Sequence, residues 1–235
     1  MKAAIIFFIS IMALAFVSLP SAAQSSRAGS RATTKRQPPP PRPLPTPASP
    51  AAAGSIVGST YRNSYFGLQL TFPRGWVVQG DAAKERMKEM GKSMAVTKSQ
   101  SEKAATDAAV ERSANLLTVS KLPLGTAGQF NALLTCVAEP LPLVMSRAMY
   151  MARLKESLLN MTVPVTVEEE GGSETINGVQ FSTLTIMMNP AASLPAQQKY
   201  YITIRKGYAL GFVSTIFSES DAEAMNGIMK SIRFQ

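Results

Sequence analysis

Histidine is absent from this 235-residue chain, and cysteine occurs once, as Cys136. Without His there is no Ser-His-Asp or Cys-His hydrolysis, no imidazole general base and no His ligand for ordinary zinc or iron sites. One thiol forms no internal disulfide, no CxxC redox pair and no thiolate cage. Acids are missing from the N-terminal segment 24–54. The net charge of +9 would suit a nucleic-acid or membrane-surface binder, but its distribution is uneven. Lys2, Arg27, Arg31, Lys35, Arg36 and Arg42 precede residue 55, leaving 18 bases against 15 acids beyond it. The folded part is nearly balanced, and no nucleic-acid partner is expected.

What is present first is a leader. Met1 and Lys2 precede an uncharged apolar run from Ala3 to Leu19, Pro20 breaks it, and Ser21-Ala22-Ala23 supplies small residues. A charged start, an apolar middle and a small-residue exit predict a secretory signal peptide over 1–23, cleaved after Ala23. No Cys lies near this site, which disfavours a lipid anchor. The alternative is a retained membrane anchor, for which the apolar run sits at the short limit of roughly 17–25 residues. The exported chain is therefore expected to be periplasmic or extracellular.

Residues 24–54 follow, "QSSRAGSRATTKRQPPPPRPLPTPASPAAAG", with eight prolines between Pro38 and Pro50. Such a composition builds no core and predicts a basic, Pro-rich disordered linker. In polyproline II geometry, Arg36 to Pro50 would reach on the order of 45 Å. Its arginines offer weak electrostatic contact with an anionic membrane surface.

Residues 55–235 are the length of one domain. In "YFGLQLTFPRGW", Phe66, Leu68, Leu70 and Phe72 alternate at period two, the pattern of a strand with one apolar face. Pro73 and Gly75 end it, and Trp76 anchors the exit. Asp81 caps a helical region with Ala83, Met87, Met90 and Met94 at helical spacing. The alanine-rich stretch 99–115 is either a second helix or a mobile insertion. Residues 116–123 and 129–141 read as strands, and 146–160 as an amphipathic helix with Met151, Leu154, Leu158 and Met161 on one side. Asn177-Gly178 and Lys206-Gly207 mark two tight hairpins in a closing meander. Ser220 and Glu223 form a capping-box pair, followed by a stripe of Met225, Ile228, Met229 and Ile232. The last strands are apolar on both faces and need cover on both sides. The predicted class is α+β, a mostly antiparallel sheet with helices on both faces, an α/β/α sandwich.

Two stretches carry a family resemblance. Gly-Leu-Gln-Leu-Thr-Phe-Pro-Arg-Gly-Trp at 67–76 resembles the opening strand of PsbP-like exported domains, and "GYALGFVSTIF…MNGIMKSIRFQ" at 207–235 resembles their final hairpin and helix. The resemblance implies the same α/β/α sandwich. The superfamily includes the photosystem II extrinsic protein, a bacterial envelope protein linked to phage adsorption and many other exported domains, most of which act by binding or supporting assembly. This chain lacks His and begins with a secretory leader, so the resemblance transfers a scaffold and no functional residue.

No catalytic, cofactor or metal residue is assigned. Met87, Met90 and Met94, with Met145, Met149 and Met151, could suit Cu(I), but the same spacing makes a core stripe. Glu168, Glu169, Glu170 and Glu174 alternate faces on a strand, which fits a solvated sheet edge better than a cation site. Cys136 reads as a buried small hydrophobe and Trp76 as a core anchor. Ser214 and Ser218 have no base partner. The expected function is non-catalytic: an exported binding or assembly-support domain on a tether, engaging an unknown envelope protein. The alternative is a small-ligand carrier with a cleft between the sheet and the helices of 81–115. A filled core with an exposed apolar patch marks the first, and a deep apolar pocket the second.

Overall fold

A computed structural model of the chain describes residues 49–97, 99–126, 130–189 and 194–235. The predicted signal peptide and nearly all of the predicted linker lie outside the described residues. Strands β1 (Gly54–Val57), β2 (Thr60–Asn63) and β3 (Leu68–Thr71) form a small antiparallel meander. Its far edge is β11 (Arg233–Phe234), so the sheet order is β1-β2-β3-β11.

The main sheet has seven strands: β4 (Val77–Val78), β5 (Ala114–Ser120), β6 (Leu133–Pro140), β7 (Val165–Ile176), β8 (Val179–Met188), β9 (Ala196–Arg205) and β10 (Tyr208–Ile216). Their order is β4-β5-β6-β10-β9-β8-β7, and every pairing is antiparallel. Both tight hairpins stand where the sequence places them. Asn177 and Gly178 have φ of 49° and 80°, and Lys206 and Gly207 have φ of 50° and 77°. Two left-handed central residues match the right-handed twist of the flanking strands.

The alternation that ends in Pro-Arg-Gly-Trp belongs to the small sheet, so the expectation of a single sheet is corrected to two. Phe66, Leu68, Leu70 and Phe72 are all buried. They pack, with helix α4 (Glu219–Ser231), over one face of the main sheet, against Leu134, Cys136, Phe181, Tyr201, Leu210 and Phe212. The predicted stripe Met225, Ile228, Met229 and Ile232 lies in this same cluster. Trp76 is half-buried at its margin.

The other face is covered by α1 (Asp81–Met94) and α3 (Arg147–Leu159). Met94, Met145, Tyr150, Leu154 and Leu158 pack there on Leu184, Ile186, Tyr200, Ile202 and Val213, and Met87 packs on Leu133. Alternate residues of one strand thus serve opposite cores, which is why β6, β9 and β10 read as continuous apolar runs. The stretch 99–115 resolves as helix α2 (Gln100–Arg112), started by Ser99 accepting from Glu102 N.

Three local expectations change. Asp81 is the first helical residue, not the cap: Gly80 occupies that place with no side-chain bond, and the Asp81 carboxylate simply faces the positive helix end. The cap of α4 is Ser218, accepting from Asp221 N, two residues ahead of Ser220. Tyr150 belongs to the buried stripe of α3, whereas Met151 and Met161 are only half-buried. Tyr150 faces the sheet, where its hydroxyl donates to Glu139 of β6.

Candidate functional site

One end of the main sheet brings exposed apolar side chains and cations together. Tyr208 pairs with both Pro140 and Arg205, so the Lys206-Gly207 hairpin and the end of β6 lie side by side. The chain leaving β6 is held close. Leu141 N donates to Gly207 O at 2.8 Å, and Met145 N donates to Pro142 O at 3.0 Å. Met145 then enters the core under α3. Between these two fixed points the turn projects Leu143 and Val144, which are 106% and 85% exposed. Met149, in the first turn of α3, adds a third exposed apolar side chain.

Several cations lie at the same end of the sheet. Arg147 donates through Nη1 to Gln180 O at 3.0 Å and through Nη2 to Gln180 Oε1 at 2.7 Å. Lys206 donates to Tyr65 O and lies over the Tyr65 ring. Arg205 stacks on Phe234. Arg233 donates to the carbonyls of Lys230 and Ile232, and Asn177 Nδ2 donates to the same two carbonyls. Tyr65, Phe66 and Tyr208 meet edge to face between them. The N-terminus of α3 points here with no acid in its first turn, so its macrodipole adds to the positive sign. Two acids on the neighbouring strands are engaged or buried: Glu174 accepts from Lys199 Nζ at 2.6 Å, and Glu139 is buried.

A cleft of about 420 Å³ opens beside Tyr208. Ser49, Pro50 and Ala51 form one wall, α1 and the end of α2 the other, and Val137 and Asn115 the floor. It lies where a ligand cleft was expected, between the sheet and the helices of 81–115. Its charges balance, Asp81, Glu85 and Glu111 against Lys84, Lys88 and Arg112. Several are committed to one another: Lys88 and Lys92 of α1 both hold Glu111 of α2, at 2.6 and 2.8 Å. Those two lysines, Lys88 first, pull the Glu111 carboxyl down to about 2. The pairs staple α2 to α1 and leave no convergent set of one sign.

Behind this cleft, Glu139 sits on the same face of β6 as Val137. It is 4% exposed and accepts from Tyr150 Oη at 2.9 Å. Burial pushes its carboxyl up to about 7, against a smaller downward pull from the Tyr150 hydrogen bond and the Arg112 charge. The Tyr150 hydroxyl is pushed well above its ordinary range by the same burial and by Glu139. Sequence reasoning missed this pair. The signal was a Glu inside an otherwise apolar strand and a Tyr in the first turn of the next helix.

The residues singled out from sequence take separate places. Met87, Met94 and Met145 are buried in the second core, Met90 and Met151 are half-buried, and Met149 is exposed. Glu168 accepts from Gln197, Glu169 from Thr185 and Glu170 from Lys155, so the acidic run is spread by bulges along the edge strand β7. No cluster of three His, Cys, Asp or Glu able to hold a metal occurs among the described residues. Cys136 is fully buried, and desolvation drives its thiol pKa up, away from thiolate chemistry. Ser214 donates to Lys199 O, and Ser218 is the helix cap. Leu143 and Val144 were missed because apolar residues in sequence carry no mark of pointing outward.

Neither a protein-family model nor the sequence of a curated protein matches the chain. Among solved structures, the chain is similar to cyanobacterial PsbP (CyanoP) from Synechocystis, at 9% identity and a TM-score of 0.47, covering 77% of this chain and 95% of that one. It is also similar to LpqN, involved in cell envelope biogenesis of Mycobacterium tuberculosis, at 11% identity and a TM-score of 0.42, covering 72% of this chain and 83% of that one.

Proposed function

We propose that this chain is an exported, non-catalytic binding or assembly-support domain, carried on a basic Pro-rich tether and engaging a component of the cell envelope. The observation that supports it most is the projection of Leu143 and Val144 from a turn fixed at both ends. Exposed apolar side chains held on a fixed turn, rather than scattered singly, are the mark of a contact surface. On this reading the leader of 1–23 is the address and the acid-free segment 24–54 the tether. No helix among the described residues is long and apolar enough to cross a membrane.

A photo-crosslinking residue at position 143, in the protein expressed in its own cells, tests the reading. Capture of an envelope component from position 143, absent from a control at the exposed Glu170 on the far edge, supports it. Equal capture from both positions would remove it. N-terminal sequencing of exported material should begin at Gln24.

The carrier reading keeps one specific observation, the cleft beside α1 and α2. It is open to solvent and its charges cancel, whereas ligand sites bury most of the ligand and converge a few polar groups on it. The projecting end is therefore the stronger site.

A further inference from the structure

The partner of this end can be named by class, given the reading above that the end binds an envelope component. Three arrangements coincide there. Leu143 and Val144 stand at the apex of a turn whose two sides are fixed, by Leu141 N on Gly207 O and by Met145 in the core. A protein-binding hot spot is usually a pocket or a flat patch with a packed rim. Here the two apolar side chains are almost wholly exposed on a short turn. Second, cations gather at this end, Arg147, Arg205, Lys206 and Arg233, with Lys230 at the end of α4, while the acids of the neighbouring cleft are matched by Lys84, Lys88 and Arg112.

Third, the chain enters at this same end. Ser49 to Ala51 line the cleft with Tyr208, and Asn63 Nδ2 donates to Pro50 O at 2.7 Å. The segment from Gln24 to Ala48 carries Arg27, Arg31, Lys35, Arg36 and Arg42 and no acid. The point where this basic segment joins the domain, the cations and the exposed apolar turn thus lie at one end of the sheet. The far side of the sheet, by contrast, has Glu168, Glu169 and Glu170 on its exposed edge.

We propose that the hairpin end, with Leu143 and Val144 as the inserted residues and Arg147, Lys206 and Arg233 as headgroup contacts, docks on an anionic lipid surface. Apolar side chains reach the acyl boundary while cations stay with the phosphates. Neither element suffices alone: two aliphatic side chains bury little area, and a few exposed cations are screened by salt. Together with the tail they make a reversible, salt-sensitive attachment that presents the acidic edge outward.

The test is sedimentation of the leader-less chain, from Gln24 onward, with vesicles of phosphatidylcholine alone or mixed with phosphatidylglycerol. The chain should bind the mixed vesicles, bind the neutral ones far more weakly, and lose affinity as salt rises. Leu143→Asp with Val144→Asp should weaken binding by about tenfold or more, because charges replace the inserted residues. Both side chains are exposed, so an unchanged melting temperature is expected and checks that the fold survives. Arg147→Glu with Lys206→Glu should weaken binding further at low salt.

A third variant, with the five tail bases changed to Ser, separates the sources. If it abolishes binding while the 143/144 pair has no effect, the tail alone binds and the docking surface is overturned. If the parent fails to bind mixed vesicles while position 143 crosslinks to an envelope protein, the lipid proposal is overturned and the binding-domain reading stands. If neither vesicles nor crosslinking reports on position 143, both are overturned.

Discussion

The two faces of the seven-stranded sheet are built by different rules. The face under α4 and the small sheet is apolar and aromatic through its interior, from Phe66 and Phe72 across to Phe181 and Phe212. Its polar bonds sit at the rim, where Asn63 holds Tyr61 Oη and Phe66 N. The face under α1 and α3 is laced with buried polar pairs. Tyr150 meets Glu139, Tyr200 donates to Gln198 Oε1 at 2.6 Å, and Gln198 donates to Thr215 at 3.1 Å. Gln79 donates to Ser120 along the same face. The first face is held by packing, which is insensitive to pH. The second is held partly by groups whose protonation and pairing must be right.

The largest test of that contrast is a cavity in the first face. Phe212→Ala should cost about 3–5 kcal/mol, by lost transfer energy and an unfilled hole. Ile228→Ala, which removes the centre of the α4 stripe, should cost about 2–5 kcal/mol. Denaturant melts at pH 5 and pH 8 should give the same loss for both. A loss that changes with pH would show that this face also depends on a titrating group.

Glu139 should behave in the opposite way. Its folded value of about 7 lies above the ordinary carboxylate value of 4.5. The folded chain therefore keeps a proton that the unfolded chain has lost, and stability falls as pH rises between those two values. The fall is on the order of 2–3 kcal/mol. Glu139→Gln should be close to the parent at pH 5 and more stable than it at pH 8. A parent whose stability is flat across this interval would show that Glu139 titrates normally.

Ser218→Ala should cost about 1 kcal/mol through the lost cap of α4, and Ser220→Ala appreciably less. Equal losses would return the cap to the position suggested by the Ser220–Glu223 spacing. The smallest effect belongs to Lys230→Ala, within about 0.5 kcal/mol, since only the backbone carbonyl of Lys230 is used by Asn177 and Arg233.

What the sequence displayed was whatever had a strong local period. The alternation of Phe66 to Phe72, the Asn-Gly turn and the α4 stripe each announce themselves within a few residues. The small sheet did not, because β1 is exposed along its whole length and β11 is two residues long. Neither has a periodic pattern to read. The α4 cap was misplaced because three candidates, Ser218, Ser220 and Asp221, crowd one turn, and only the backbone path chooses among them. The candidate site was the least legible part. Leu143 and Val144 look like any core residues, and the cations around them come from α3, the β9–β10 hairpin and β11. Their meeting is a property of topology.

The pairing of β3 with β11 has a consequence in time as well as in space. Thr71 N donates to Ser231 Oγ across 160 residues of chain, and Gln235 N donates to Gly67 O. Gly67, at φ +65°, has no room for a Cβ against the Gln235 carbonyl. A chain that emerges N-terminus first therefore carries β3 with one edge unpaired, and its apolar face bare, until its closing helix arrives. Contacts this distant are slow to form, and an open edge meanwhile invites pairing with other chains. The domain is thus one whose first recognisable strand is among the last to be secured.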